Sequence, residues 1–214
     1  EAKKKTNCAT EACLYESPSL KAQIDLPSMA EVFMKKGPWK DDGKWLNNED
    51  IDDCLNIWSA KFPTFKHMQF QMMDFDDKNE PLSKVNWQSF VRNYDTLGCV
   101  LNTDHSGEPG RHWVCVFADV KGNTVEYFDS AGSQPPPEAS KFIISAAKSL
   151  SEATGRNYND VAVTTMAHQK SDSECGVYAL FYILSRLHGV PYKFFKETRI
   201  PDSDMKQFRR YIFR

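Results

Sequence analysis

Residues 168–189, HQKSDSECGVYALFYILSRLHG, decide the fold. The first part is a polar loop, and from Cys175 onward the run is apolar on nearly every side until Gly189 stops it. A helix apolar all round is one buried inside a domain, whereas a surface helix keeps a polar face. The uninterrupted apolar stretch, Val177 to Leu184, is far shorter than the roughly 18 residues a membrane span requires. The helix must therefore be covered by the rest of this chain.

The cover is legible on both sides of it. Leu97–Leu101 and Trp113–Ala118 are short continuous apolar runs bounded by turn residues, the pattern of strands buried on both faces, with the loop DHSGEPGR between them. Thr124–Phe128 follows the turn Lys121-Gly122-Asn123, so it pairs with the preceding strand as a hairpin. That register sets Ala118 against Val125 and leaves Asp129 close to Val114 and His112. Glu138–Ala153 reads as a helix with Phe142, Ile143, Ala146, Ala147 and Leu150 on one face and Gly155 at its end, and Val161–Thr165 returns as a strand. A last helix, Asp202–Phe213, carries Met205, Phe208 and Ile212 on one side. Toward the N-terminus, Asn47 or Asn48 caps a helix whose Ile51, Cys54, Leu55 and Trp58 share a face. Phe62–Asn86 is Met- and Phe-rich and irregular, and no element is placed there. The expected architecture is an α+β domain over residues 38–214, a mostly antiparallel or mixed sheet flanked by helices. Residues 1–37 form a polar N-terminal extension with one short amphipathic stretch, Leu26–Met34.

Composition narrows the function. A chain of 214 residues with 41% hydrophobic and 26% charged residues is one ordinary globular domain with a modest extension. Lys+Arg 27 against Asp+Glu 29 leaves a net charge of −2, so no global positive field favours nucleic acid or acidic membrane. A local basic patch at Arg209, Arg210 and Arg214 keeps nucleic acid open as an activator. The six cysteines are scattered, several within apolar runs, which reads as reduced intracellular thiols. The stretch EAKKKTNCATEA lacks the apolar region of a signal peptide. Cys8 and Cys13 have no second Cys/His pair nearby to complete a zinc site, and Asp74, Asp76 and Asp77 lack the glycine and terminal Glu of a calcium loop. No metal or cofactor is expected.

The chemistry gathers around the helix start. A thiol becomes nucleophilic when a helix N-terminus or a neighbouring imidazolium favours its thiolate, and Cys175 occupies such a start. Its own N–H is a natural oxyanion donor, and Gly176 leaves the backbone open to a substrate carbonyl. His112, at the edge of the strand WVCVF, has the rigidity a general base needs, unlike His105 in the loop or His168 in the polar connection. Asp129, at the end of TVEYF, is positioned to hold the imidazole tautomer and stabilise its charged form. The Gln169 side-chain amide offers a second oxyanion donor. Singly, each has an ordinary structural explanation: a core cysteine, a strand-capping histidine, an Asx-turn aspartate, a loop glutamine.

Jointly, His112-Trp113, the FDS triplet ending at Ser130, and Gln169 with five residues before Cys175-Gly176 resemble the ubiquitin-like-protein (SUMO) and adenovirus-type cysteine proteases. WLNNEDIDDCLNIW is similar to the segment that opens the SUMO-protease catalytic domain. LGCVLNTD, RHWV, EYFDSAG, HQKSDSECG and the tail from Arg199 to Phe213 are similar to the polyprotein-processing proteases of African swine fever virus and related large DNA viruses. The resemblance implies a papain-like core with the catalytic order permuted to His, Asp, Cys. It also implies cleavage after Gly-Gly in extended polyprotein substrates, with Trp45 and Trp113 closing a slot too narrow for any residue with a Cβ. Asn48 stands where SUMO-cleaving members carry an acidic residue. This favours viral polyproteins, in host cytoplasm and virion, over deconjugation of a ubiquitin-like modifier or the acyl transfer of other superfamily members.

Overall fold

The computed structural model describes residues 44–213. The extension 1–37, its Leu26–Met34 stretch, Cys8, Cys13 and Arg214 lie outside the described residues. In chain order the elements are α1 (Asn48–Lys61), β1 (Phe65–Met72), a 3-10 turn (Pro81–Lys84), α2 (Trp87–Asn93), β2 (Thr96–Asn102), β3 (Trp113–Asp119) and β4 (Thr124–Phe128). They continue with α3 (Pro137–Thr154), β5 (Asn159–Val163), α4 (Cys175–Leu187), α5 (Tyr192–Glu197) and α6 (Asp202–Ile212).

The five strands form one sheet in sequential order, and it is mixed: β2, β3 and β4 are antiparallel neighbours, while β1 runs parallel to β2 and β5 parallel to β4. Each parallel pair requires a crossover. Residues 73–95, with the 3-10 turn and α2, supply one, and α3 the other. Alternation along the strands then divides the core in two. Cys115 and Phe117 of β3 face a cluster containing α1, α4, α5 and α6, whereas Val114, Val116 and Ala118 face a cluster containing α3 and α2. Helix α4 lies within the first cluster, with Val177, Tyr178, Leu180, Tyr182 and Ile183 fully buried.

The hairpin register is the expected one, with Ala118 opposite Val125 and Cys115 opposite Phe128. Asn47 rather than Asn48 caps α1, in a reciprocal capping box with Asp50. Helix α3 ends where Gly155 takes φ +70°, a conformation that disfavours side chains. Several elements differ from expectation, among them the 3-10 turn and α2, which no sequence pattern marked. β5 covers Asn159–Val163 rather than Val161–Thr165: it pairs with β4 from Thr124↔Asn159, at the turn end, and as an edge strand it carries exposed Asn159 and Asp160. Strand β1 lies in the irregular Phe62–Asn86 segment, its alternation broken by a register shift between Met68 and Gln71. Helix α5 is a short piece anchored by Phe195. Arg209, read as part of a basic surface patch, is instead fully buried.

A buried polar knot ties α4 to the sheet. Arg186 donates Nε to Glu126 Oε2 (2.8 Å) and Nη2 to Glu126 Oε1 (2.8 Å) and to Asp119 (3.0 Å), and Tyr182 Oη donates to Glu126 Oε2 (2.7 Å). Glu126 is fully buried, so removing its charge leaves Arg186 with Asp119 as its one charged partner among those bonds. Glu126→Leu is expected to lower the unfolding free energy by about 3 kcal/mol or more, read from urea titrations, while Tyr182→Phe costs only about 1 kcal/mol.

Candidate active site

Three element ends converge at one margin of the sheet. His112 immediately precedes β3, Asp129 immediately follows β4, and Cys175 is the first residue of α4. His112 Nε2 lies 2.7 Å from Asp129 Oδ1. Asp129 is almost wholly buried, and the same Oδ1 accepts the Ala131 N–H at 2.8 Å, which fixes its direction. The Cys175 thiol lies near enough to the same imidazole to help raise its pKa. With Nε2 committed to Asp129, Nδ1 is the ring nitrogen left for sulfur.

The electrostatics favour a charged imidazole. Burial opposes the imidazolium, but the bonds to Asp129 and Cys175 and the charge of both outweigh it, raising the His112 pKa to about 10. Cys175 is buried, and as the first residue of α4 its N–H has no intrahelical acceptor and points with the positive end of the helix dipole. Such a site can hold a thiolate–imidazolium pair and place a donor where an oxyanion forms.

Gln169 sits beside this group, held on both ends of its amide. Its Oε1 accepts from Ser130 Oγ (2.8 Å), its Nε2 donates to Ser171 O (2.8 Å), and its backbone N–H donates to Ser130 O (3.0 Å). The second Nε2 hydrogen remains for a ligand. Ser130 is thus a further member of the site, and its only sequence signal is a hydroxyl next to the Asp129 carboxylate in the FDS triplet. The two competing histidines are elsewhere occupied. His168 is fully buried, accepts the Ile200 N–H at Nδ1 (3.1 Å), and is pushed toward the neutral form mainly by burial. His105 is exposed and pairs with Glu138 at 3.4 Å.

Trp45 and Trp113 line one groove of about 350 Å3, together with Leu46, Asn48, Met72 and Asn102. Trp45 is half-exposed at 45%, whereas Trp113 shows only an edge and donates Nε1 to Leu46 O (3.1 Å). Gly176 is buried, and a Cβ there would come within 3.2 Å of Trp113 and 3.3 Å of Leu46. The glycine thus makes room for the indole, a packing role beside the substrate approach expected from sequence. Among the described residues no group of His, Cys, Asp and Glu could hold a metal ion, and Cys54, Cys99, Cys115 and Cys175 are free thiols.

A thiol, an imidazole and a buried carboxylate linked in that order define the cysteine peptidase class, and comparison with known proteins agrees. Residues 54–214 match the Ulp1 protease family, C-terminal catalytic domain; the chain belongs to this family and is a cysteine protease. It is 37% identical to the cysteine protease S273R of African swine fever virus (isolate Tick/Malawi/Lil 20-1/1983), over 99% of this chain and 85% of that protein. The crystal structure of the African swine fever virus pS273R protease superposes with a TM-score of 0.79 at 34% identity, over 99% of this chain and 85% of that one. The yeast Ulp1 protease domain, solved in complex with the SUMO ortholog Smt3, superposes with a TM-score of 0.57 at 18% identity, over 84% of each chain, and shares the fold.

Asp129→Asn keeps the shape of the carboxylate but removes its charge, and is expected to lower kcat/KM by about 100- to 10,000-fold with little change in KM. The pH dependence of stability has a fixed sign. Because folding raises the His112 pKa from 6.5 to about 10, its contribution is complete below pH 6.5 and is lost as pH rises through about 10. Urea titrations from pH 6 to 10.5 should show that decline in the native protein and a flatter profile in Asp129→Asn.

Proposed function

We propose that this chain is an endopeptidase that cleaves after Gly-Gly in viral structural polyproteins, acting in the host cytoplasm and the virion, with Cys175, His112, Asp129 and Gln169 as its catalytic residues. The Cys175 thiolate attacks the glycine carbonyl carbon. The carbonyl electron pair moves to oxygen, where the Cys175 N–H and the free Gln169 Nε2–H donate. His112 gives its proton to the leaving amine as the C–N bond breaks, leaving a thioester. It then takes a proton from water, whose oxygen displaces sulfur and releases the acid.

The observation that carries the substrate assignment is the groove lined by Trp45 and Trp113, whose Trp113 ring packs against Gly176, the residue that follows Cys175. Gly176 brings the helix start against the Trp113 ring, so a substrate chain lying on that indole reaches the nucleophile only where it is thin, as at glycine. A second reading, release of a ubiquitin-like modifier, is favoured by the Ulp1–Smt3 complex and by the name SUMO-1 cysteine protease carried by S273R of the Pig/Kenya/KEN-50/1950 isolate.

Purified protein should cleave a Gly-Gly-Xaa peptide and a polyprotein carrying such sites, and Cys175→Ala should abolish both. Alanine in place of the glycine before the cleaved bond should lower kcat/KM by about 100-fold. SUMO and ubiquitin fluorogenic conjugates should turn over more slowly than the peptide. Preferential cleavage of either conjugate would favour the second reading, and turnover by folded Cys175→Ala would rule out the catalytic assignment.

A further inference from the structure

The segment from Gln169 to Cys175 has to hold an oxyanion donor and the nucleophile at a fixed separation, yet it contains no regular structure before α4 begins. Its shape comes from α6. At the start of that helix the Asp202 carboxylate accepts the Lys170 N–H (3.1 Å to Oδ2, 3.2 Å to Oδ1) and the Ser171 N–H (3.0 Å to Oδ2). Tyr178, on α4, approaches Asp202 Oδ1 and Ile200 O with its hydroxyl, each at 2.9 Å. Two turns further along α6, fully buried Arg209 donates Nε (3.2 Å) and Nη2 (3.1 Å) to Glu174 Oε2, and Glu174 is itself fully buried directly before Cys175. One helix therefore grips the segment just after Gln169 and just before Cys175.

The Asp202 contact leads to the oxyanion amide through a single residue. Ser171 donates its N–H to Asp202 and offers its carbonyl to Gln169 Nε2 at 2.8 Å. That carbonyl takes one of the two Nε2 hydrogens and so aims the other. If Ser171 shifts, the amide loses the acceptor that orients it, while Ser130 still holds Oε1. The Asp202 carboxylate bonds to Lys170, Ser171 and Tyr178 and not to Cys175, His112 or Asp129, so the His112–Asp129 bond stands without it.

We infer that Asp202 is a positioning residue for catalysis, setting the Gln169 oxyanion donor through Ser171, with Arg209–Glu174 fixing the other end of the same segment. The role rests on the assignment of Gln169 and Cys175 above.

The test compares Asp202→Ala, Asp202→Asn, Gln169→Ala and the Asp202→Ala/Gln169→Ala double variant in the full chain, each checked for folding by thermal melting. Asp202→Ala should lower kcat by about 10- to 100-fold with KM within about twofold, the signature of a lost transition-state contact. Alkylation of Cys175 by iodoacetamide, which needs the thiolate but no oxyanion donor, should keep its native rate. Asp202→Asn should stay within about threefold of the native enzyme: its Oδ1 can accept both backbone N–H groups, and its amide can donate to Tyr178 Oη. In the Gln169→Ala background, Asp202→Ala should add less than about twofold, because residues acting as one unit are not additive.

The inference fails if folded Asp202→Ala loses less than about threefold in kcat, if its full effect persists without Gln169, if Asp202→Asn is as damaging as Ala, or if alkylation slows in parallel. Should Asp202→Ala not fold, Asp202→Ser, whose lone hydroxyl reaches at most one of the N–H groups, takes its place under the same criteria. Slow alkylation of Cys175 in the native enzyme would instead count against the catalytic assignment itself, so the two failures are distinct.

Discussion

The burial of α4 is the constraint from which the rest follows. With no polar face, this helix is stable only inside a cluster formed by the sheet on one side and α1, α5 and α6 on the others. Each fully buried side chain of its size contributes about 1.5–3 kcal/mol relative to exposure, so sliding the helix along its axis would expose several at once. The Glu126–Arg186 knot near its C-terminal end sets the remaining freedom, since a buried bidentate pair tolerates little displacement. A helix so fixed has its first residue at the sheet margin. The reactive sulfur is therefore placed by packing and needs no loop to hold it.

The sheet does the same for the other two groups. Antiparallel pairing of β3 and β4 puts the start of one strand beside the end of the next, so a histidine just before β3 and an aspartate just after β4 must be neighbours. Two rigid frames thus meet: a helix dipole directed at sulfur and a buried carboxylate directed at imidazole. Both favour charge separation between Cys175 and His112, and for His112 this outweighs the desolvation that burial imposes. The oxyanion side is built differently. Gln169 lies in irregular chain and depends on borrowed anchors, Ser130 from the β4 end and Ser171 held by α6.

That contrast explains what was legible in the sequence. The helix around Cys175, strands β2 to β4 and the neighbourhood of His112 and Asp129 follow from local apolar pattern and a three-residue turn, and they stand in the structure with the expected register. The order and spacing of His112, Asp129, Gln169 and Cys175 carried the family. Strand β1 was hidden because its bulge breaks the alternation and its partner is parallel and distant in sequence. Arg209 misled because an arginine at a chain end ordinarily lies on the surface, and its buried partner is 35 residues away. The packing of Trp113 and Leu46 against Gly176 has no sequence signal, because only the folded chain brings them together. Tertiary anchors of this kind leave no local pattern to read.

The charge state of His112 at rest is the quantity on which the catalytic account turns. Following the ring carbon or nitrogen signals of His112 by NMR, in protein labelled at histidine, measures it directly. The account predicts an imidazolium that persists through pH 8 and loses its proton only near pH 10. A ring that titrates at the ordinary value of 6.5 would contradict it, since the thiol would then lack a preformed ion-pair partner.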